Sequence, residues 1–230
     1  MNTFIGIGCN HWKDSYDYVS SVLQKEKPDL VLVEYGICNV GAFDTEPGSL
    51  LCKRVEEGKA EAHFDLSKEQ EPKIYLDDIM IFDSRAPSEA AAGVGYALNR
   101  SIPVFLINEP FRRAKGFSET LRNKGIIGFE SKEKQGYRII LTQHDKTAFT
   151  QRTFNFLKQR NYFFKDAIEV LDDLYKPSTV ASVGGLLHYS VGTNESCLLE
   201  PGYASEFTFT ALVNAKKKVI YDAAKMKRVK

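Results

Sequence analysis

Two short segments place a histidine three residues after a glycine: Gly8-Cys9-Asn10-His11 and Gly185-Leu186-Leu187-His188. Imidazole moves protons near neutral pH and is also a common metal ligand. A glycine just ahead of it lets the chain swing sharply or lets another group approach the backbone. Each segment follows an apolar run, Phe4 to Gly8 in one case and Thr179 to Val183 in the other. Such runs read as buried strands, so each histidine leaves the carboxyl end of a strand. In open α/β sheets that edge is where ligands bind. One such motif is weak, since glycine and histidine are common in turns; two of them at strand ends form a constellation. The other two histidines, His63 and His144, lie in charged segments that read as loops, and both read as solvent-facing.

Carboxylates fall at the same edge. Glu34 follows Leu30-Val31-Leu32-Val33, and Asn108-Glu109 follows Val104-Phe105-Leu106-Ile107. A carboxylate directly after a buried strand needs water, a cation or a metal to stabilise its charge. Glu89 opens a helix after Pro87-Ser88, a place where the helix dipole alone favours an acid. Four strand ends presenting His11, Glu34, Asn108-Glu109 and His188 make a metal-binding or acid–base constellation.

The elements that must position these groups follow from periodicity. Phe4 to Gly8 and Leu30 to Val33 are short apolar runs joined by an amphipathic segment, Asp14 to Lys25, with Tyr18, Val19, Val22 and Leu23 on one face. That is a βαβ unit, and its strands are expected to be parallel neighbours or near neighbours. Ser49 to Lys59 reads as helix, residues 65–73 as loop, Ile79 to Phe82 as strand and Glu89 to Asn99 as helix. Val104 to Ile107 is another buried strand. Ile126 to Phe129 and Tyr137 to Thr142 suit a hairpin, and Thr147 to Leu174 a long helix. In residues 204–224 the alternation of Phe207, Phe209 and Ala211 suits a strand before a last helix. The fold class expected is α/β: a mixed, largely parallel central sheet flanked by helices.

Composition narrows the function classes. A chain of 230 residues with no internal repeat or linker is expected to be a single domain over residues 1–230. The formal charge of +1 gives no whole-chain footprint for nucleic acid. Basic residues crowd the C-terminal segment 214–230, with Lys216, Lys217, Lys218, Lys225, Lys227, Arg228 and Lys230, and read as a solvated helix end and tail. No apolar stretch is long enough to span a membrane. Cys9, Cys38, Cys52 and Cys197 lack CxxC spacing. With no secretory signal at Met1 to Phe4, they read as reduced thiols of a cytoplasmic protein.

The order of these motifs resembles a known family, the TraB/PrgY/GumN proteins and the Tiki metalloproteases, with relatives among the erythromycin esterases and ChaN. The resemblance rests on Ile5 to His11 as the first GxxH segment and on Lys27-Pro28-Asp29-Leu30-Val31-Leu32-Val33-Glu34 as the strand ending in glutamate. It continues with Ser88-Glu89-Ala90-Ala91-Ala92 and the strand Ile102 to Ile107, then Arg160-Asn161 with Ala167, Ile168 and Leu171. It ends on Val183-Gly184-Gly185-Leu186-Leu187-His188. It covers about residues 4–192 and departs from the family at Asn108-Glu109, where Asp-Arg is usual, and at Asp83-Ser84-Arg85-Ala86-Pro87, which does not align. Arg112 or Arg113 is a candidate replacement for the arginine.

The resemblance implies a hydrolase acting on a small molecule or peptide, cleaving a peptide or ester bond, by one of two routes. In one, His11 and His188, with Glu34 or Glu89 or both, hold a divalent ion such as zinc, manganese, cobalt or iron, which lowers the pKa of a bound water and polarises a carbonyl, and a glutamate left unligated serves as general base. In the other, no metal is used: a histidine oriented by a glutamate activates water and Arg160 stabilises the oxyanion. The resemblance also allows a peptide- or metal-binding regulator without turnover. A competing resemblance is to nucleoside deoxyribosyltransferases, through Gly95-Tyr96-Ala97-Leu98 and Ile102-Pro103-Val104. It puts Gly93 where that family has its catalytic glutamate and leaves both GxxH segments unused.

Overall fold

The computed structural model describes residues 1–11, 13–35, 45–83, 85–107, 125–130, 136–141, 153–189 and 208–229. In chain order, its elements begin with β1 (Thr3–Cys9), α1 (Tyr16–Glu26), β2 (Leu30–Val33), α2 (Glu46–Glu56) and β3 (Ala62–Asp65). There follow β4 (Lys73–Leu76), β5 (Ile79–Phe82), α3 (Ser88–Asn99), β6 (Val104–Leu106), β7 (Gly125–Glu130) and β8 (Gly136–Leu141). The last are α4 (Thr153–Tyr175), β9 (Thr179–Gly185), a 3-10 turn (Leu186–His188), α5 (Phe209–Leu212), β10 (Lys217–Asp222) and β11 (Lys227–Arg228).

The expected architecture holds. One sheet of eight strands has the order β11-β10-β1-β9-β2-β6-β7-β8, and β3, β4 and β5 form a small antiparallel sheet. The five strands from β10 to β6 are parallel, while β7, β8 and β11 run antiparallel at the two margins. Parallel strands buried on both faces read as near-continuous apolar runs, and residues 4–9 and 30–33 are buried throughout.

Strand pleating sorts these residues between two layers. Ile5, Ile7, Val31, Val33, Ala181 and Val183 pack with α1 and α3. Phe4, Leu30, Leu32 and Val180 pack instead with Phe163, Phe164, Ala167, Ile168 and Leu171 of α4. Side chains two apart on a strand share a face, so Glu34, next after Leu30 and Leu32 on that face, is directed to the α4 side. α3 comes close to the sheet because its inward residues are small. A Cβ on Gly93 would stand 2.9 Å from Val33 Cγ2.

β9 is inserted between β1 and β2, far from either in sequence. Its register sets Gly184 beside Gly8 and Gly185 beside Cys9. The two GxxH segments therefore leave the sheet side by side. β1 and β2 are near neighbours, with only β9 between them.

Three expectations are corrected. The C-terminal order is reversed: the short helix α5 comes first and the strand β10 second. Thr208 starts α5 by accepting the Ala211 N–H at 3.2 Å, which overrides the weak alternation. The basic segment is not a helix end either, although Lys216, Lys217, Lys225, Lys227 and Arg228 are exposed as expected. Lys217 and Lys218 open β10, whose remaining residues, Val219 to Asp222, are buried beside β1. Residues 65–73 are not wholly loop, since β3 ends on Asp65 and β4 begins at Lys73. Here the Arg54–Asp77 ion pair, 2.6 Å, ties α2 to the β4–β5 turn, where Asp77 takes a left-handed φ of 47°. Among the described residues no helix is long and apolar enough to cross a membrane.

Candidate active site at the carboxyl edge of the sheet

Five carboxyl ends meet at one edge: Asp222 of β10, Cys9 of β1, Gly185 of β9, Val33 of β2 and Leu106 of β6. His11, Glu34 and His188 follow three of them. Around the point where a side-chain carbon on Gly185 would stand, His11 Nε2 lies at 3.0 Å, Glu34 Oε2 at 3.5 Å and His188 Cδ2 at 3.7 Å. A side chain there would stand in the space the three groups share and press on the His11 ring.

Two pairings divide the site. On the α3 side, His11 Nδ1 is hydrogen-bonded to Glu89 Oε1. Glu89 lies in the first turn of α3 and is buried, whereas the His11 side chain is 41% exposed. The loop carrying His11 is fastened to the same helix start: the Ser15 N–H donates to Ser88 Oγ at 2.8 Å. The hydrogen bond to Glu89 is the main reason the His11 pKa is raised above 6.5; burial opposes it, and the charge of Glu34 adds to it. The other oxygen, Glu89 Oε2, is buried with no hydrogen-bond partner among the described residues.

On the α4 side, Glu34 is the hub. Its Oε1 accepts from Arg160 Nη2 and, at 3.1 Å, from His188 Nε2; its Oε2 accepts the Gly185 N–H at 2.7 Å. His188 Nδ1 meets Asn161 Oδ1 at 2.5 Å, and Asn161 is fully buried. Arg160 and Asn161 are consecutive on α4, so one turn of that helix holds both Glu34 and His188. Burial by itself would raise the Glu34 pKa. The facing His188, the Arg160 guanidinium and the Gly185 N–H outweigh it and hold the carboxyl far below the usual carboxylate range.

The sign of that shift fixes a pH dependence. A carboxyl whose folded pKa is depressed contributes stability above its unfolded pKa and loses it as pH falls. Glu34 is therefore expected to make melting temperature drop progressively from about pH 5 downward. Glu34→Gln is expected to be less stable at neutral pH and to show a shallower acid limb, read by thermal denaturation across a pH series. Equal limbs for the two proteins would show that another group drives acid unfolding.

Cys9, next to this cluster, is buried, and its surroundings favour the neutral thiol. Burial first, then the negative charges of Glu89, Glu34 and Asp222, push its pKa well up. Two site neighbours were missed in the sequence. Asp222 is 1% exposed and ends β10 directly beside Gly8. Its Oδ1 accepts the Lys225 N–H at 3.0 Å and so shapes the turn to β11. Val219-Ile220-Tyr221-Asp222 carries the same signal as the Leu30 to Glu34 run, an acid closing an apolar strand. Asn161 stands in the sequence only as part of the Arg160-Asn161 segment, and nothing local marks it as the partner of His188.

The unaligned stretch after β5 has a structural role. Asp83 is buried and accepts from the Arg85 N–H at 2.9 Å and from its guanidinium, turning the chain toward α3. His63 is 55% exposed, though it lies on β3 and not in a loop. Gly95 to Leu98 lie within α3, and the glycine at 93 packs on Val33, so α3 presents its acid at Glu89 instead. Asn108, Glu109, Arg112, Arg113, His144, Cys38 and Cys197 fall outside the described residues.

A metal held by His11, Glu34, Glu89 and His188 would need a free lone pair on each. His188 offers none as placed: Nε2 faces a carboxylate and so presents its proton, and Nδ1 is taken by Asn161. Among the described residues no three His, Cys, Asp or Glu side chains are grouped to hold a metal. The four residues converge, but this arrangement does not fit a four-ligand metal centre. The chain matches no protein-family model, no curated protein and no solved structure.

Proposed function

We propose that this chain is a hydrolase that cleaves a peptide or ester bond of a small-molecule or peptide substrate, with His11 as the general base. The reading agrees with the resemblance to the TraB and Tiki proteins. One observation carries it: a half-exposed histidine whose Nδ1 is held by a buried carboxylate. With the Nδ1–H given to Glu89, the lone pair of Nε2 is free to take a proton. That nitrogen stands over Gly185, at the sheet edge where open α/β folds bind ligands. Water placed against it would lose a proton as its oxygen attacks the carbonyl carbon, and imidazolium would return the proton to the leaving group. Glu89 fixes the ring and stabilises imidazolium while it lasts. Glu34, Arg160 and His188 frame the other wall, where the Arg160 cation lies closest to Glu34 and contributes its charge through that pair.

The test is turnover of aryl esters and fluorogenic peptides by the native chain and by Glu89→Gln, each over a pH series. The neutral imidazole is the active form, so rate is expected to rise with pH through a pKa above 6.5. Glu89→Gln removes the main cause of the raised pKa, so the acid limb is expected to move to lower pH while the plateau rate falls. Turnover that ignores Glu89→Gln in both rate and pH profile would sink the assignment.

A further inference from the structure

We infer that the buried guanidinium of Arg160 takes the place a divalent metal would occupy, so the site carries its cation in the sequence and binds no metal. The inference extends beyond the proposed hydrolysis, because it concerns what neutralises Glu34 and not which bond is cut.

The first ground is the accounting of donors. Glu34 gives Oε1 to Arg160 and His188 and Oε2 to Gly185. Both ring nitrogens of His188 are engaged, one by Glu34 and one by Asn161. His11 spends Nδ1 on Glu89. Cys9 Sγ is turned back to the Ile7 carbonyl at 3.8 Å. Of the groups expected to ligate a metal, only His11 Nε2 and the second lone pair of Glu34 Oε2 stay open, because Glu89 Oε2 is sealed from solvent, and among the described residues no three such side chains are grouped to hold an ion. Neither a metal of the zinc type nor one of the manganese type is held by so few donors.

The second ground is how firmly Arg160 is installed. Its side chain is 12% exposed, and that of Glu34 is 5% exposed. The guanidinium carbon lies 5.7 Å from the centroid of the Phe164 ring, one turn further along α4. A planar, permanently charged group packed near an aromatic ring and paired to a carboxylate suits a buried ion pair better than a hydrated ammonium would. Asn161, the next residue, holds His188, so docking α4 installs the cation and closes the second candidate ligand together.

The test uses the full chain, stripped with chelator and dialysed against zinc, manganese or cobalt. Bound metal is read by mass spectrometry, and melting temperature is read with metal and with chelator. Native protein is expected to hold no stoichiometric metal and to show no metal-dependent melting shift. Arg160→Met frees Glu34 Oε1 from the guanidinium and is expected to gain a divalent ion, with cobalt absorption bands. Arg160→Met combined with Glu34→Gln is expected to lose that gain. Stoichiometric metal in the native chain that disappears in Glu34→Gln would overturn the inference, and that measurement needs no Arg160 variant. A folded Arg160→Met that stays empty would overturn it too. Metal content is read without substrate, so the two proposals fail separately: an active, metal-loaded native chain ends this one and leaves the hydrolase reading standing.

Discussion

Glu34→Ala is expected to lower stability by about 3–5 kcal/mol, the cost of removing one partner from a buried ion pair. For a chain of this size that corresponds to a fall of roughly 10 °C in melting temperature. The size follows from what the carboxylate holds. It accepts from a guanidinium 12% exposed, from a buried imidazole and from the Gly185 N–H at 2.7 Å. Removing it leaves the guanidinium charge beside Phe164 with little solvent and leaves a backbone donor unpaired. Two further variants separate the causes. Glu34→Gln keeps an oxygen for Gly185 and is expected to lose less. Glu34→Ala combined with Arg160→Met removes the stranded charge and is expected to recover part of the loss, which a double-mutant cycle reads as coupling between the two positions. Melting temperatures equal to native within about 2 °C would mean that solvent reaches the pair and that it is worth no more than a surface ion pair.

The same hub shows what the sequence could and could not convey. Strands buried on both faces leave continuous apolar runs, so β1, β2, β6 and β9 were readable, and with them the residues just beyond their ends. Alternation within Leu30 to Glu34 even fixes which layer the carboxylate faces. The strand order was not readable. Nothing local to Thr179–Gly185 says that it lies between β1 and β2, and only that insertion brings His188 beside Glu34 and His11 beside Gly185. For the same reason the sequence could not say which glutamate serves which histidine. Glu89 pairs with His11 because α3 and the His11 loop are fastened through Ser88 and Ser15, and His188 falls to Glu34 and Asn161 because α4 covers the opposite face. β10 was hidden for a different reason. Its opening lysines masked a strand whose buried part is only Val219 to Asp222.

His11→Gln is expected to reduce turnover by about 10²- to 10⁴-fold, the usual contribution of a general base, while leaving melting temperature nearly unchanged. The separation of the two readouts comes from where the ring sits. Its side chain is 41% exposed, so little packing is lost with it. Its structural duty is one hydrogen bond to Glu89, and a glutamine amide can still donate there. What glutamine lacks is a nitrogen lone pair of useful basicity. His11→Ala is a less clean probe. It strips the buried Glu89 of its Oε1 partner, when Oε2 has none among the described residues, so stability and rate would fall together. His188→Gln makes the opposite case. That ring is 2% exposed and bonded at both nitrogens, so its loss is expected to appear first in stability. If His11→Gln kept native turnover while His188→Gln, still folded, abolished it, the base would be on the α4 side and the roles of the two GxxH histidines would have to be exchanged.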